Sequence, residues 1–163
     1  MAWGQALEPP LVGLTRSLPP APGTYGLALE VPAAQAQALL RIPVGALGTW
    51  AFPHGVYLYV GSAWGPGGLR ARVGRHVMGS PRPRWHIDYL RSHACPVALW
   101  LAPGAHLECV WAQALSECPD FRVIIPRFGA SDCRCPAHLF YLGKHRLDTV
   151  HLSGNPEFLA LTV

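Results

Sequence analysis

The sequence predicts an α/β (α+β) fold, a small mixed, mostly antiparallel central sheet flanked by helices, and three observations carry that expectation. Two stretches, GTYGLALEV (23–31) and GVYLYVGSA (55–63), alternate with the two-residue period of a strand. A short apolar run, PVALWLA (96–102), reads as a buried strand. Helical patterns lie between and after them, LRARVGRHVM (69–78) and HLECVWAQALSE (106–117), without the regular alternation of an extended βαβ series.

Taken in order, residues 1–22 are proline-rich and aperiodic, an N-terminal arm that is ordered only if it packs on the body. The first strand sets Tyr25, Leu27, Leu29 and Val31 on one face. PAAQAQALLRI (32–42) fits a helical turn or a decorated loop. The second strand sets Tyr57 and Tyr59 against Val56, Leu58 and Val60 on the other face. GPGG (65–68) breaks it, and the helix that follows shows Leu69 and Val73 on its apolar side. WHIDYLRSH (85–93) reads as a second short helix. In the helix over 106–117, Leu107, Val110, Trp111 and Leu115 are expected toward the core. FRVIIP (121–126) and HLFYLG (138–143) are short strand candidates around the loop RFGASDCRCP (127–136). The expected organisation is the arm (1–22), one domain (23–143) and a C-terminal extension (144–163) packed on it.

At 163 residues the chain suits one domain with a single core. No apolar run reaches the ~18 residues that a membrane span requires. The start, MAWGQALEPPLVG, lacks the positive and apolar regions of a signal peptide. Five cysteines, an odd number with no CxxC, fit a reduced, cytoplasmic interior better than a secreted disulfide framework.

The net charge of +4 suits an anionic partner without naming it. Lys144 is the only lysine, so arginine carries the positive charge. Six arginines fall between Arg70 and Arg91, where Asp88 is the only acid. Guanidinium groups grip phosphate with a planar fork of donors, which makes this cluster a candidate phosphate surface. The plainer reading is an arginine-biased composition with a solvated face.

Order and spacing then point further. GTY (Gly23, Thr24, Tyr25) and YVG (Tyr59, Val60, Gly61) close on a helix bearing Arg72 and His76. Those two stand four residues apart and share a helix face. A later helix carries Glu108, the only glutamate between Glu30 and Glu117. This arrangement resembles the GIY-YIG nuclease superfamily. Over roughly residues 20–143 it is similar to a small subfamily with the wording YVGSA, GPGGLRAR, WHIDYL and SDCRCP, some of whose members are fused to endonuclease III-type glycosylases.

The resemblance implies a fold of GIY-YIG type and a metal-dependent DNA endonuclease. Glu108 would hold one Mg²⁺ or Mn²⁺, since a carboxylate suits a hard ion that keeps most of its waters. Arg72 would grip the scissile phosphate. Tyr25 and Tyr59 would bracket the attacking water, one of them serving as base once the site lowers its pKa from about 10. His76 would relay a proton or bind phosphate. Around this centre Arg70, Arg75, Arg82, Arg84, Arg134, Ser62, Trp64, His86 and Asp132 are expected to face the nucleic acid. Several family members carry a lysine where this chain has Ser62, so His76 is the expected substitute. The inserted WGPGG leaves Arg70 or Arg75 able to share the work of Arg72.

The subfamily's association with endonuclease III implies double-stranded DNA with abasic sites, a functional partnership with a DNA glycosylase, and a nucleoid-associated location. The alternatives are a DNA-binding module that does not cut, or a structure-selective or non-specific nuclease. Residue by residue, plainer readings stand beside these. Tyr25 and Tyr59 can be ordinary sheet tyrosines, and Glu108 can simply favour a helix N-terminus. His86 and Asp88 in WHIDYL can hold their own helix by a local hydrogen bond. Trp64 and Trp85 can stack on a base, though packing is the expected role of Trp85. Asp132, Cys133 and Cys135, with Cys109 or His138, offer zinc ligands. CxC is poor zinc-finger spacing and no CxxC supports it, so a structural or substrate-contacting loop is expected there.

Overall fold

The computed structural model describes residues 8–33, 39–144 and 147–161. Its elements follow the chain as α1 (Glu8–Ser17), β1 (Gly23–Val31), β2 (Leu40–Pro43), β3 (Thr49–Phe52), β4 (Gly55–Ser62), α2 (Gly68–Met78), α3 (His86–Arg91), β5 (Cys95–Pro103), α4 (Glu108–Glu117), β6 (Leu139–Gly143) and β7 (Glu157–Ala160). Five strands form one sheet in the order β6-β4-β1-β5-β7, every neighbouring pair antiparallel, and β2 and β3 form a separate hairpin.

β1 is the central strand and is buried along its length except at Glu30. Alternation sends its larger side chains one way: Tyr25, Leu27, Leu29 and Val31 pack with Tyr57, Tyr59, Leu69, Val73 and Leu99. The other face of the sheet sets Ala28, Leu58, Val60 and Trp100 against Trp111, Ala112 and Leu115 of α4. The indole of Trp111 is fully buried and donates to the Ser153 carbonyl at 3.0 Å. Burying an aromatic side chain of that size stabilises by about 2–3 kcal/mol. α2 and α4 therefore stand on opposite faces of the sheet.

Four sequence expectations change. The arm contains a helix, α1, because Pro9 and Pro10 fall in its first turn, where the missing N–H groups have no intrahelical partner anyway. Leu18 just beyond it is buried in the core. FRVIIP is not a strand: only Arg122 bridges to Tyr141, and the chain then turns through Arg127 at a φ of 66° while Ile125 and Phe128 plug the core. Val110 lies on the outer face of α4, 52% exposed. The C-terminal extension supplies β7, which pairs with β5. Of the segment expected as a turn or loop, residues 34–38 lie outside the described residues, and Leu40 begins β2. Residues 1–7, 145–146 and 162–163 also lie outside them.

Candidate functional site

A polar cavity of about 260 Å³ opens where the start of β1 and the end of β4 meet α2, α3 and the start of α4. Tyr25, Tyr59, Ser62, Arg72, Arg84, Trp85, His86, Glu108, Gly129, Ser131 and Asp132 line it. Four of the five residues expected to be catalytic, Tyr25, Tyr59, Arg72 and Glu108, thus converge from four separate elements.

The β1–β4 register builds the tyrosine pair. Tyr25 stands opposite Gly61, and Leu27 opposite Tyr59, so the two tyrosines are diagonal neighbours on one face with ring centroids 6.3 Å apart. Gly61 is required because a Cβ there would strike the Tyr25 hydroxyl. Gly129 closes the far side at a φ of +72°, and a Cβ on it would come within 2.9 Å of the Tyr59 ring.

Burial pushes the Tyr25 phenol well above its ordinary range, and the neighbouring Tyr59 adds to the shift. The Tyr59 phenol is raised as well, by burial and then by the Glu108 charge, with Arg72 opposing. The expectation that the site lowers a tyrosine pKa is therefore reversed for the chain alone, because lost hydration outweighs the nearby guanidinium. Both phenols stand as O–H donors at neutral pH.

Glu108 opens α4, and its place is set from β1. The buried Thr24 hydroxyl donates to the Ala105 carbonyl at 2.7 Å and accepts the Leu107 N–H at 2.9 Å, pinning the chain just before the helix. One carboxylate oxygen, Oε2, accepts from the Ser62 hydroxyl at 2.9 Å. The other, Oε1, lies 3.1 Å from Nδ1 of the buried His138, an ion-pair distance whose geometry falls short of a hydrogen bond. Burial favours protonation of Glu108, but His138, the Ser62 hydroxyl and the Arg72 charge together hold its carboxyl below the ordinary range. It is an ionised carboxylate, partly open to the cavity.

The arginines divide into two kinds. Arg72 stacks on Trp85, its guanidinium carbon 4.3 Å from the ring centroid, with one long hydrogen bond of 3.4 Å to the Ser62 carbonyl. Arg75 instead pairs with Asp88 Oδ2 at 3.1 Å and donates to the Arg82 carbonyl at 2.8 Å. Arg84 lines the cavity and lies over the same indole at 5.5 Å. Trp85, expected only to pack, is a platform beneath three guanidinium groups.

His76 does not reach the cavity. It is buried behind the tyrosines, its ring centroid 5.9 Å from that of Tyr25 and 6.1 Å from that of Tyr59, with Nδ1 3.3 Å from Asp88 Oδ1. Desolvation lowers its pKa despite that carboxylate, so the neutral ring puts its proton on Nδ1. Phosphate binding by His76 is thereby excluded by burial, and its ring packs against both phenol rings. Burial alone would raise the Asp88 pKa. Hydrogen bonds from His76, the Arg84 and Trp85 amides and Arg75 more than offset it and hold the group well below the carboxylate range.

His86 is a cavity group of another kind. Its Nδ1 accepts the Gly129 N–H at 2.8 Å, and burial lowers its pKa, so the neutral ring carries its proton on Nε2 and is a donor. Of the residues expected at the nucleic acid, Ser62, Arg84, His86 and Asp132 line the cavity. Arg70 is exposed and donates to the Leu18 carbonyl at 2.8 Å. Arg82 and Arg134 are exposed outside the cavity lining. Trp64 is 41% exposed and stacks on His106 with centroids 3.6 Å apart.

Sequence reading missed Thr24 as the anchor of α4, Trp85 as the arginine platform, His138 as the neighbour of Glu108, and Arg127. GTY signalled Thr24, since a buried threonine needs two hydrogen-bond partners. The sequence marks His138 only as a zinc-ligand candidate, and its approach to Glu108 arises through the fold.

A two-faced antiparallel sheet, with a tyrosine pair on its central strands and a stacked arginine and a carboxylate on the flanking helices, defines the class structurally. Consistent with that, the chain belongs to the family described as Domain of unknown function DUF123, whose model matches residues 24–154. No curated protein and no solved structure matches the chain.

Proposed function

We propose that this protein is a GIY-YIG-type, divalent-metal-dependent endonuclease that hydrolyses phosphodiester bonds in double-stranded DNA, at abasic sites in base-excision repair. The observation that carries the reading is the convergence of Tyr25, Tyr59, Arg72 and Glu108 on one polar cavity. Hydrolysis adds water across a P–O bond: its oxygen goes to phosphorus and a proton goes to the leaving sugar oxygen. Arg72, unpaired with any carboxylate in hydrogen-bonding reach among the described residues and flattened on Trp85, is the fork that takes two phosphoryl oxygens. Arg84 and the Nε2–H of His86 add donors in the same cavity. Tyr25 and Tyr59 orient the attacking water as phenols, and His76, anchored to Asp88, packs behind their rings.

The donor set fits a hard cation. Glu108 is an ionised, partly exposed carboxylate in a cavity with room for water, and Asp132 lines the same cavity. Mg²⁺ or Mn²⁺ there would lower the pKa of adjacent water and neutralise phosphoryl charge.

Two features support DNA and the abasic site. The arginines grip a backbone without reading bases. A cavity of about 260 Å³ is small beside ordinary ligand pockets of about 300–1,000 Å³. It suits a backbone linkage with ordered water better than a flipped nucleotide with its base. Removing a base lowers the cost of bending the backbone inward by about a few kcal/mol. A glycosylase that creates the site is then the natural partner.

The raised tyrosines favour a second reading, a DNA-binding module that does not cut. End-labelled duplexes, intact or with one abasic site, incubated with Mg²⁺, Mn²⁺ or EDTA, separate the readings. The proposal expects metal-dependent nicking at the abasic site, far faster than in the intact duplex. Equal nicking of both duplexes would remove the repair assignment, and salt-sensitive binding without nicking would support the module.

A further inference from the structure

Three of the five thiols that the nuclease reading leaves unused are gathered in one place. Cys109 follows Glu108 in the first turn of α4, Cys133 and Cys135 lie in the loop before β6, and His138 immediately precedes that strand. The ligand atoms of all four lie within 4.8 Å of one another, and Cys133 Sγ is 3.4 Å from His138 Nε2. A tetrahedral zinc site, with Zn–S near 2.3 Å and Zn–N near 2.0–2.1 Å, sets its ligand atoms about 3.5–3.8 Å apart. The widest gap therefore needs to close by only about 1 Å. We propose that Cys109, Cys133, Cys135 and His138 form a structural Zn²⁺ site that fastens the 131–138 loop to α4 beside the cavity.

Three observations besides proximity support this. The ligand set is soft, three thiols and an imidazole, the donor class that selects zinc over Mg²⁺ or Ca²⁺. The loop is held in shape independently of the thiols. Arg127 donates to the carbonyls of Cys133 and Cys135, both at 2.6 Å, and its N–H donates to the Pro136 carbonyl at 2.7 Å. Finally, His138 is buried, and its Nδ1 lacks a hydrogen-bond partner while lying 3.1 Å from Glu108 Oε1. Metal on Nε2 fixes the ring proton on Nδ1 and directs it at that carboxylate, the arrangement in which a carboxylate orients a metal-bound histidine. The single exposed ligand, Cys109, leaves a path for the ion to enter.

CxC spacing argued against zinc along the chain, but the second pair of ligands arrives from α4 and from the end of the loop. A disulfide is the competing use of these thiols, and it would leave the third cysteine and the histidine without a common task.

The test is metal content and spectroscopy on the full chain, which requires no nuclease activity. Protein expressed with zinc and dialysed against buffer is expected to hold about one Zn²⁺ per chain. Cobalt exchanged into it is expected to give thiolate charge-transfer bands and the intense visible bands of a tetrahedral site. Cys133→Ser and His138→Ala are expected to lose the metal, while Cys118→Ser, outside the cluster, keeps it. If those two variants fail to fold, the cobalt spectrum of the unmutated chain decides alone. A zinc-free chain with no thiolate bands on cobalt addition would overturn the proposal. So would zinc retained at full stoichiometry by both folded variants, a Cys–Cys disulfide among the three, or bound iron in place of zinc.

Discussion

Asp88 and Glu108 are the two carboxylates nearest the arginines of α2, and their surroundings differ in kind. Asp88 is buried, with a side chain 1% exposed, and takes hydrogen bonds from His76, Arg75 and two backbone amides. Both oxygens are held by the protein's own donors and are shut off from the cavity. Glu108 keeps 29% of its side chain exposed and faces the cavity between one hydroxyl and one imidazole. The arginines repeat the contrast: Arg75 is bound to Asp88, while Arg72 lies on an indole with its fork available. A charged pair that is fully satisfied holds a helix in place, and one that is left partly open can exchange a partner for substrate.

The sharpest way to break this comparison is to exchange charge for amide at both carboxylates. Glu108→Gln is expected to lower cleavage by about 10³-fold with little loss of stability, because it removes a charge at the cavity and almost no volume. Asp88→Asn is expected to do the reverse, costing about 2–4 kcal/mol of stability by leaving buried donors unmatched. Denaturant unfolding beside cleavage rates reads both. Arg72→Ala is expected to lower turnover by about 10²-fold. Arg75→Ala is expected to cost stability, about 1 kcal/mol after allowance for its solvent exposure, more than turnover. If Arg75→Ala damages turnover more, the division between the arginines is wrong. Thr24→Val, which keeps shape but frees the start of α4, is expected to cost about 1–2 kcal/mol and to slow cleavage about 10-fold.

The pH dependence of stability sharpens the Asp88 side. Folding depresses the His76 pKa below its unfolded value of about 6.5, and that of Asp88 below about 3.9. Each lowered group contributes stability that is present above its unfolded value and is lost as pH falls toward its folded one. Thermal stability is therefore expected to be flat near neutrality, to decline below about pH 6.5 and to fall again below about pH 4. Asp88→Asn is expected to weaken the second decline. A stability maximum near pH 5 would contradict the neutral, buried state assigned to His76.

The central strands and α2 were legible because alternation and the i,i+4 spacing are local properties of the chain. Tyr25, Tyr59, Arg72 and Glu108 could be picked out by order and type alone. Their settings could not. The reversal of the tyrosine shift depends on how completely α2, α3 and the 124–130 turns cover the rings. The loss of His76 from the cavity depends on the depth of the helix face it shares with Arg72. α1 was hidden because prolines mask a helix by composition while suiting its first turn, and FRVIIP misled because buried Ile125 and Phe128 serve a turn rather than a strand.

On this reading Glu108 serves the cleavage step and not DNA binding or folding. Measuring duplex binding and metal-dependent cleavage on the same Glu108→Gln sample tests it most directly, with an abasic duplex in Mg²⁺. The account predicts binding close to that of the unmutated chain, with the same fall as salt rises, and cleavage reduced to the level seen in EDTA. Cleavage at an undiminished rate by the folded variant would contradict it.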